Sequence, residues 1–222
     1  MIPLKDDNPT RTFPFVTIFI IAANIAIYIY QLTLGPKAEE FFVLRAGAIP
    51  YEITHFIDIY PFSVIPPPLT LFSAMFVHGG LLHVGGNMLY LWIFGDNIED
   101  RLGHFRFIIF YILTGLIASL AHIIMMPDSK IPMIGASGAI AGILGAYFLL
   151  YPRAHVRTLV FFFFFVDIVK IPALIFLGLW FAFQLLSSGA GSGIAWYAHI
   201  GGFIGGVALI KLFEIKKRRR YD

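Results

Sequence analysis

The chain has 222 residues, of which 59% are hydrophobic and only 13% are charged, and its mean hydropathy is +0.82. Soluble domains carry about 25% charged residues, so this composition excludes an ordinary soluble globular protein and also a disordered chain. The sequence contains no cysteine, which excludes disulfides, thiolate nucleophiles and cysteine-ligated metal centres. Any chemistry must therefore use hydroxyl, imidazole, amide or carboxylate groups.

The apolar residues fall into stretches long enough to cross a bilayer. A hydrocarbon core about 30 Å thick needs roughly 20 apolar residues per helix. The stretches of this kind are 13–34, 69–95, 107–126, 134–151, 171–186 and 194–212. They predict an all-α integral membrane protein with six transmembrane helices. In this division, 13–213 form the transmembrane domain, 1–12 a cytoplasmic segment and 214–222 a basic cytoplasmic tail.

The distribution of positive charge predicts the orientation. An even number of spans places both termini on one side, and most Lys and Arg residues fall on that side, against Lys37, Arg45 and Lys130 on the other. The positive-inside rule therefore predicts that both termini are cytoplasmic. We interpret the basic run at 216–220 as a stop-transfer anchor that attracts anionic lipid. The lipid bilayer is thus an expected partner, and nucleic acid is not.

Three connections between the spans have distinctive compositions. The segment 35–68 is rich in aromatic residues and prolines, which predicts short helices in the outer interface. Residues 158–166 are apolar but too short to span, so we interpret them as an interfacial or re-entrant lead-in to the fifth span. The link 187–193 is composed of Ser, Gly and Ala, which is typical of a flexible segment and predicts a movable lid.

Polar side chains within the spans are few, and each is a functional candidate because its burial in lipid is unfavourable. We interpret Asn24 and Gln184 as residues that form interhelical hydrogen bonds. The candidates for chemistry are His78, His83, Asn87, His122, Ser137 and His199.

Three of these candidates are predicted to lie at one depth. His83, Ser137 and His199 are 12 to 16 residues from the first cytoplasmic charge of their helices. At 1.5 Å per residue this places them roughly 18 to 24 Å from the inner face, in the outer half of the bilayer. Asn87 follows His83 by one helical turn, so both side chains project from the same helix face.

Glycines indicate which of these helices approach each other. Gly138, Gly142 and Gly145 form one small-residue stripe, and Gly202 with Gly206 forms another. Close packing of the two stripes places His199 opposite Ser137, the arrangement of a nucleophile and its general base. The spans contain no Asp or Glu at this depth, so the predicted site is a dyad.

The predicted nucleophile also has candidate oxyanion donors. Ser137 lies near the start of its helix, where backbone N–H groups have no intrahelical acceptor. His83 and Asn87 supply side-chain donors from the neighbouring helix. The Ser137 N–H, His83 and Asn87 together form the predicted oxyanion hole.

Other interpretations of the same residues exist. A serine in a Gly-Ala stretch is ordinarily a packing residue, and an isolated membrane histidine is more often structural. His78 and His122 are rival bases. A metal site formed by His78, His83 and His199 is a further alternative, although the sequence has neither a His-Glu-x-x-His motif nor an intramembrane carboxylate base. The last alternative is a transporter or an inactive binding protein with the same fold.

These motifs together resemble the rhomboid family of intramembrane serine proteases. The nucleophile motif Gly-x-Ser-Gly stands at 135–138, the base motif comprises Ala198 and His199 followed by the glycines 202 and 206, and His-x-x-x-Asn stands at 83–87. The link 95–103 also resembles the family. Ala141 stands where some members carry a tyrosine that packs against the base.

The resemblance, from about residue 13 to 212, implies a six-helix protease domain with a Ser137/His199 dyad. It implies no cofactor and no metal. The expected reaction is hydrolysis of single-span membrane proteins near the outer face of the bilayer, with the substrate's transmembrane helix as partner. We expect the inner membrane of a prokaryotic cell as the location.

Overall fold

The computed structural model describes residues 1–60, 65–162, 165–188 and 194–214. The predictions for residues 189–193 of the lid and for residues 215–222 of the basic tail lie outside these ranges. Most of the described chain is helical. The helices are α1 Phe15–Thr33, α2 Pro36–Ala46, α3 Pro50–His55, α4 Thr70–Ser73, α5 Leu81–Leu102, α6 His104–Met125, α7 Ser137–Leu150, α8 Ala173–Ser187 and α9 Trp196–Phe213.

The chain is a multi-pass membrane protein. Within the described residues, α1, α6 and α9 are long and apolar enough to cross a membrane, and the segment Pro67–Phe76 together with α5 is a fourth candidate. Helices α7 and α8 are apolar but have only 14 and 15 residues, about 21 and 22 Å. Large apolar side chains such as Leu82, which is 92% exposed, cover the outside of the helices. Such a surface requires a lipid environment.

The prediction of one continuous second span over 69–95 is wrong. The chain bends by 79° between Pro67–Phe76 and α5, and Val77 is extended. Gly80 lies at the bend with φ +157°, a conformation that favours glycine. The bend places His78 in the connection and His83 in the first turn of α5.

A three-stranded sheet contradicts the prediction of an all-α fold. Its strands are β1 Ile2–Asp6, β2 His155–Phe162 and β3 Phe165–Pro172, antiparallel in the order β1-β2-β3. The lead-in predicted at 158–166 is therefore wrong, although residues 163–164 of it lie outside the described ranges. Val156 and Thr158 are buried whereas Arg157 is exposed. This alternation is typical of a strand packed on one face.

Helices α7 and α9 pack along the two glycine stripes. A Cβ on Gly202 would overlap the carbonyl oxygen of Gly138, and one on Gly206 would overlap that of Gly142. Only glycine allows the backbones to approach this closely. Helix α7 is the most enclosed helix of the described part, since Ala139 to Tyr147 are all buried. The stripes position the N-termini of both helices beside each other.

The outer connection contains short helices, as its composition predicts, because α2 and α3 both lie within 35–68. Residues 61–64 of this segment lie outside the described ranges. The prediction for Asn24 is wrong, since its Nδ2 donates to the carbonyl oxygen of Ile20 within α1. A helical amide side chain can bond the preceding turn, so a polar residue in a span need not reach another helix.

Buried polar contacts join the sheet to the helices at the end opposite the start of α7. Asp6 of β1 accepts hydrogen bonds from the Tyr147 hydroxyl, at 2.5 Å, and from Asn97 Nδ2, at 3.1 Å. Glu99, which is fully buried near the end of α5, accepts from the backbone N–H groups of Val16 and Thr17. These contacts connect the first strand to α5 and α7, and the start of α1 to α5.

Candidate active site

The structure brings Ser137 and His199 into direct contact. Ser137 is the first residue of α7, and His199 lies in the first turn of α9. The Nε2 atom of His199 is 2.8 Å from the Ser137 Oγ. The glycine contacts between Gly202 and Gly138 and between Gly206 and Gly142 produce this pairing, because they set the distance between the two backbones.

The other ring nitrogen of His199 determines the tautomer. His199 Nδ1 lies 2.8 Å from Oε1 of Gln184 on α8, a side chain that is only 4% exposed. An amide oxygen can only accept a hydrogen bond, so Nδ1 carries the hydrogen. In a neutral imidazole Nε2 is then the acceptor, and it is free to take the hydroxyl proton of Ser137. The geometry is that of a nucleophile with its general base.

The sequence predicted an interhelical hydrogen bond for Gln184, which the structure confirms, but not its partner. Two indole rings also flank the base, since the Trp180 and Trp196 centroids are each 6.1 Å from that of His199. Ala141 has no ring to pack against His199, and the two indole rings pack against it instead. The spacing of 15 residues between Gln184 and His199, across a loop, carries no periodic signal that could have revealed the contact.

His83 and Asn87 both lie against the backbone before Ser137. A Cβ on Gly135 would be 2.6 Å from His83 Nε2 and 3.4 Å from Asn87 Nδ2, and Gly135 has φ +112°. Only glycine fits there. His83 Nδ1 accepts the N–H of Gly79 at 3.4 Å, so Nε2 carries the ring hydrogen and is a donor. Both side chains thus present N–H groups beside the loop that precedes Ser137.

The first rival base, His78, has both nitrogens engaged elsewhere. Its Nδ1 donates to the carbonyl oxygen of Phe76 at 3.3 Å, and its Nε2 accepts from Asn87 Nδ2 at 2.9 Å. Gln31 bonds the backbone N–H and C=O of His78. His78 therefore orients the amide of Asn87, whose second amide hydrogen is available to a ligand. This relationship was missed in the sequence, where His78 figured as a competitor of His199.

The second rival base, His122, lies on α6 beside Tyr197, with ring centroids 6.1 Å apart. Among the described residues, no group of three or more His, Asp or Glu side chains is placed to hold a metal ion. The three imidazoles considered for a metal site have other partners, because His199 bonds Ser137 and Gln184, His78 bonds Asn87, and His83 accepts the N–H of Gly79.

A small cavity adjoins Ser137. Its volume is about 30 Å³, room for one or two water molecules. Its walls carry little side-chain bulk and consist mainly of glycine and alanine, including Gly115, Ala118, Ala195 and Ala198. The Ser137 side chain is thus accessible to a small group on one side.

Comparison with known proteins places these features in a family context. Rhomboid protein 1, mitochondrial, of Saccharomyces cerevisiae is 30% identical over 167 residues, which are 68% of this chain and 45% of the yeast protein. Rhomboid protease GluP of Bacillus subtilis is 36% identical over 138 residues, 61% of this chain and 24% of GluP. Rhomboid-like protein 11, chloroplastic, of Arabidopsis thaliana is 28% identical over 139 residues, 63% of this chain and 43% of that protein.

The chain spans less than half the length of each of these three relatives. The family model of the Rhomboid domain matches residues 68–214 of this chain. The matched region contains α5 to α9 and hence every residue of the Ser137 and His199 site described above. Because it covers well over half of the 222 residues, the chain belongs to the rhomboid family.

Proposed function

We propose that the protein is an intramembrane serine endopeptidase that cleaves single-span membrane proteins, with Ser137 as nucleophile and His199 as general base. The observation that carries the proposal is the 2.8 Å contact between His199 Nε2 and Ser137 Oγ, with Nδ1 of the same ring bonded to Gln184. This arrangement leaves the lone pair of Nε2 directed at the hydroxyl hydrogen.

The residues support acyl transfer in two stages. Ser137 Oγ attacks the substrate carbonyl carbon while its proton passes to His199 Nε2, and the imidazolium then protonates the departing amine. The same base next takes a proton from water, which hydrolyses the acyl-enzyme ester and regenerates the Ser137 hydroxyl. The small cavity beside Ser137 has room for such a water molecule.

The oxyanion of the tetrahedral intermediate needs fixed donors. The Ser137 N–H is at the first position of a helix and has no intrahelical acceptor. We assign His83 Nε2–H and Asn87 Nδ2–H as the side-chain donors. Their proximity to Gly135 supports this assignment, as do the bonds that orient them from Gly79 and His78.

The substrate and the membrane orientation form the second part of the proposal. We propose a transmembrane domain of six spans within 13–213, in which the short helices α7 and α8 also cross the membrane. Both termini are placed in the cytoplasm by the positive-inside rule. Ser137 and His199 then lie in the outer half of the bilayer. A single-span substrate reaches them from the surrounding lipid.

The host membrane is proposed to be the inner membrane of a prokaryotic cell. The names of two relatives refer to mitochondria and chloroplasts, and the third relative is from Bacillus subtilis. The similarity to the Bacillus subtilis protein is what supports a prokaryotic membrane.

Labelling with a fluorophosphonate probe tests the proposal, since the probe reacts with an activated serine. We expect the wild type to be labelled and Ser137→Ala and His199→Ala to show almost no labelling. Ser73→Ala is the control, because the Ser73 hydroxyl bonds the carbonyl oxygen of Ala46 and neither member of the dyad. Labelling or substrate cleavage that persists in Ser137→Ala would overturn the serine mechanism.

A further inference from the structure

One buried amide contacts the base, and the two-residue mechanism assigns it no role. We propose that Gln184 is a positioning residue that holds His199 in the tautomer and ring orientation needed to accept the Ser137 proton. This inference rests on the proposed function. It extends the dyad to a hydrogen-bonded row of three side chains, each from a different helix: Ser137 of α7, His199 of α9 and Gln184 of α8.

The contacts of Gln184 determine which way its amide points. Its Nε2 donates to the carbonyl oxygen of Trp180 at 3.2 Å, one turn earlier in α8, and its Oε1 faces His199 Nδ1 at 2.8 Å. A rotation of the amide by 180° would oppose Oε1 to the Trp180 oxygen, and both atoms are acceptors. The amide therefore keeps its oxygen towards the base.

The amide oxygen in turn selects one tautomer of the imidazole. With hydrogen on Nδ1, Nε2 accepts the hydroxyl hydrogen of Ser137. With hydrogen on Nε2, the ring would donate to Ser137 Oγ, and Nδ1 would oppose the amide oxygen with no hydrogen between them. The wrong tautomer thus loses a buried hydrogen bond and leaves two buried acceptors facing each other. Gln184 raises the fraction of protein in the reactive state.

An amide suits this position better than a carboxylate. A buried carboxylate within the bilayer carries a charge that is expensive to desolvate, whereas the amide orients the ring without a net charge. The titratable groups that face His199 from the packed helices are the imidazoles of His83 on α5 and His122 on α6. Among the described residues, no carboxylate is hydrogen-bonded to the His199 ring, so the amide is its hydrogen-bonding orienter.

The location of Gln184 makes the base depend on α8. The ring of Phe181 stacks on Phe203 of α9 with centroids 4.5 Å apart, and Trp180 packs on the same ring at 6.1 Å. These contacts hold α8 against α9 and keep the amide within reach of His199. A displacement of α8 would remove the acceptor from Nδ1. The dyad is therefore fully oriented only while α8 is docked.

Three variants test this role in the full chain, reconstituted with a single-span substrate. Gln184→Leu removes the acceptor, and we expect kcat to fall on the order of 10-fold to 100-fold, by analogy with the partners that orient metal-ligating histidines, with KM little changed. Gln184→Glu keeps an acceptor oxygen, and we expect it to retain more activity than Gln184→Leu. Its added charge favours the imidazolium, so the acidic limb of its kcat/KM profile should move to higher pH.

Asn24→Leu is the matched control, because it also replaces a buried amide in a membrane helix but one whose bond stays within α1. We expect its kcat to equal that of the wild type. Nitrogen NMR of labelled histidine adds a readout independent of turnover, with hydrogen on His199 Nδ1 in the wild type and a mixture of tautomers in Gln184→Leu.

Wild-type kcat and tautomer in Gln184→Leu would overturn the positioning role, and so would an equal loss in Gln184→Leu and Gln184→Glu. Should Gln184→Leu fail to fold, the spectrum of the wild type decides, because hydrogen on His199 Nε2 instead of Nδ1 contradicts the proposed tautomer. Activity in Ser137→Ala would instead refute the proposed function. The two failures are thus distinguishable.

Discussion

Gly206 of α9 lies so close to the carbonyl oxygen of Gly142 on α7 that no Cβ fits between them. Gly206→Ala must therefore push the two helices apart, and overpacking of this kind costs about 1 to 3 kcal/mol. The separation also lengthens the 2.8 Å contact between His199 and Ser137. We expect a lower midpoint of thermal unfolding in detergent and a large loss of probe labelling.

Gly85→Ala is the control for this substitution. Gly85 is also within a membrane helix, and a Cβ there would meet nothing within 4 Å. Alanine favours helix more than glycine by about 1 kcal/mol, so this variant should be at least as stable as the wild type. Equal stability and labelling in Gly206→Ala would show that the α7 and α9 interface yields without disturbing the site.

The oxyanion assignment predicts graded losses of turnover. Removing one such donor typically lowers the rate by about 100-fold to 1,000-fold, so His83→Ala and Asn87→Ala should lose kcat by amounts of this order with small changes in KM. His78→Leu should lose less, because it releases the Asn87 amide without removing it. Steady-state kinetics with a reconstituted substrate measure these effects. An Asn87→Ala enzyme with wild-type turnover would show that Asn87 only packs.

Asp6 predicts a pH dependence of stability. Burial raises the pKa of its carboxyl above the ordinary 3.8, against the opposing effect of the Tyr147 hydrogen bond. Between 3.8 and the raised pKa the folded state binds the proton more tightly, so this group stabilises the fold as the pH falls through that window. Asp6→Asn abolishes this contribution.

The unfolding midpoint of Asp6→Asn minus that of the wild type should therefore be more positive at pH 7 than near pH 4. Thermal unfolding of both proteins at the two pH values measures the difference, and contributions from other groups cancel in the comparison. A difference that does not change with pH would contradict the raised pKa of the Asp6 carboxyl.

The proposed depth of Ser137 predicts where a substrate is cut. A helical peptide bond is shielded by its own hydrogen bonds, so a substrate must unwind locally, and Gly, Ser or Pro near its outer end make unwinding easier. The glycine and alanine lining beside Ser137 favours a small residue next to the scissile bond. Replacing the outer-end Gly residues of a substrate with Leu should slow cleavage strongly, as measured by mass spectrometry of the products.

Cutting at the cytoplasmic end of the substrate would contradict the proposed orientation. Cutting at the same rate after the Leu replacements would contradict the need for unwinding.

The contact between Ser137 and His199 was predictable because glycine spacing restricts helix packing to one face. The stripes at Gly138 and Gly142 and at Gly202 and Gly206 allow only one close approach, and the two side chains lie one turn or less from them. The oxyanion candidates were also locatable, since Asn87 follows His83 by four residues on one helix. Periodicity thus identified residues that share a face.

The sheet was missed because no local sequence pattern indicates which strands pair with each other. The alternation in 155–162 was present as a signal, with Val156 and Thr158 inward and Arg157 outward, but high hydropathy favoured an interfacial interpretation. The partner strand β1 lies at the other end of the sequence. Gln184 was similarly recognised as a hydrogen-bonding residue without its partner, because the contact depends on how α8 packs against α9.

The pairing of β1 with β2 has a consequence for biosynthesis. Asp6 is synthesised before its partner Tyr147, which is 141 residues further along the chain. Strand β2 follows Tyr147. Closing so long a loop requires the intervening helices to be in place before the contacts form. Strand β1 therefore has no pairing partner while the helices are inserted into the membrane. Docking of β1 therefore requires that α5, α7 and the β2–β3 hairpin have already folded at the same end of the helix bundle.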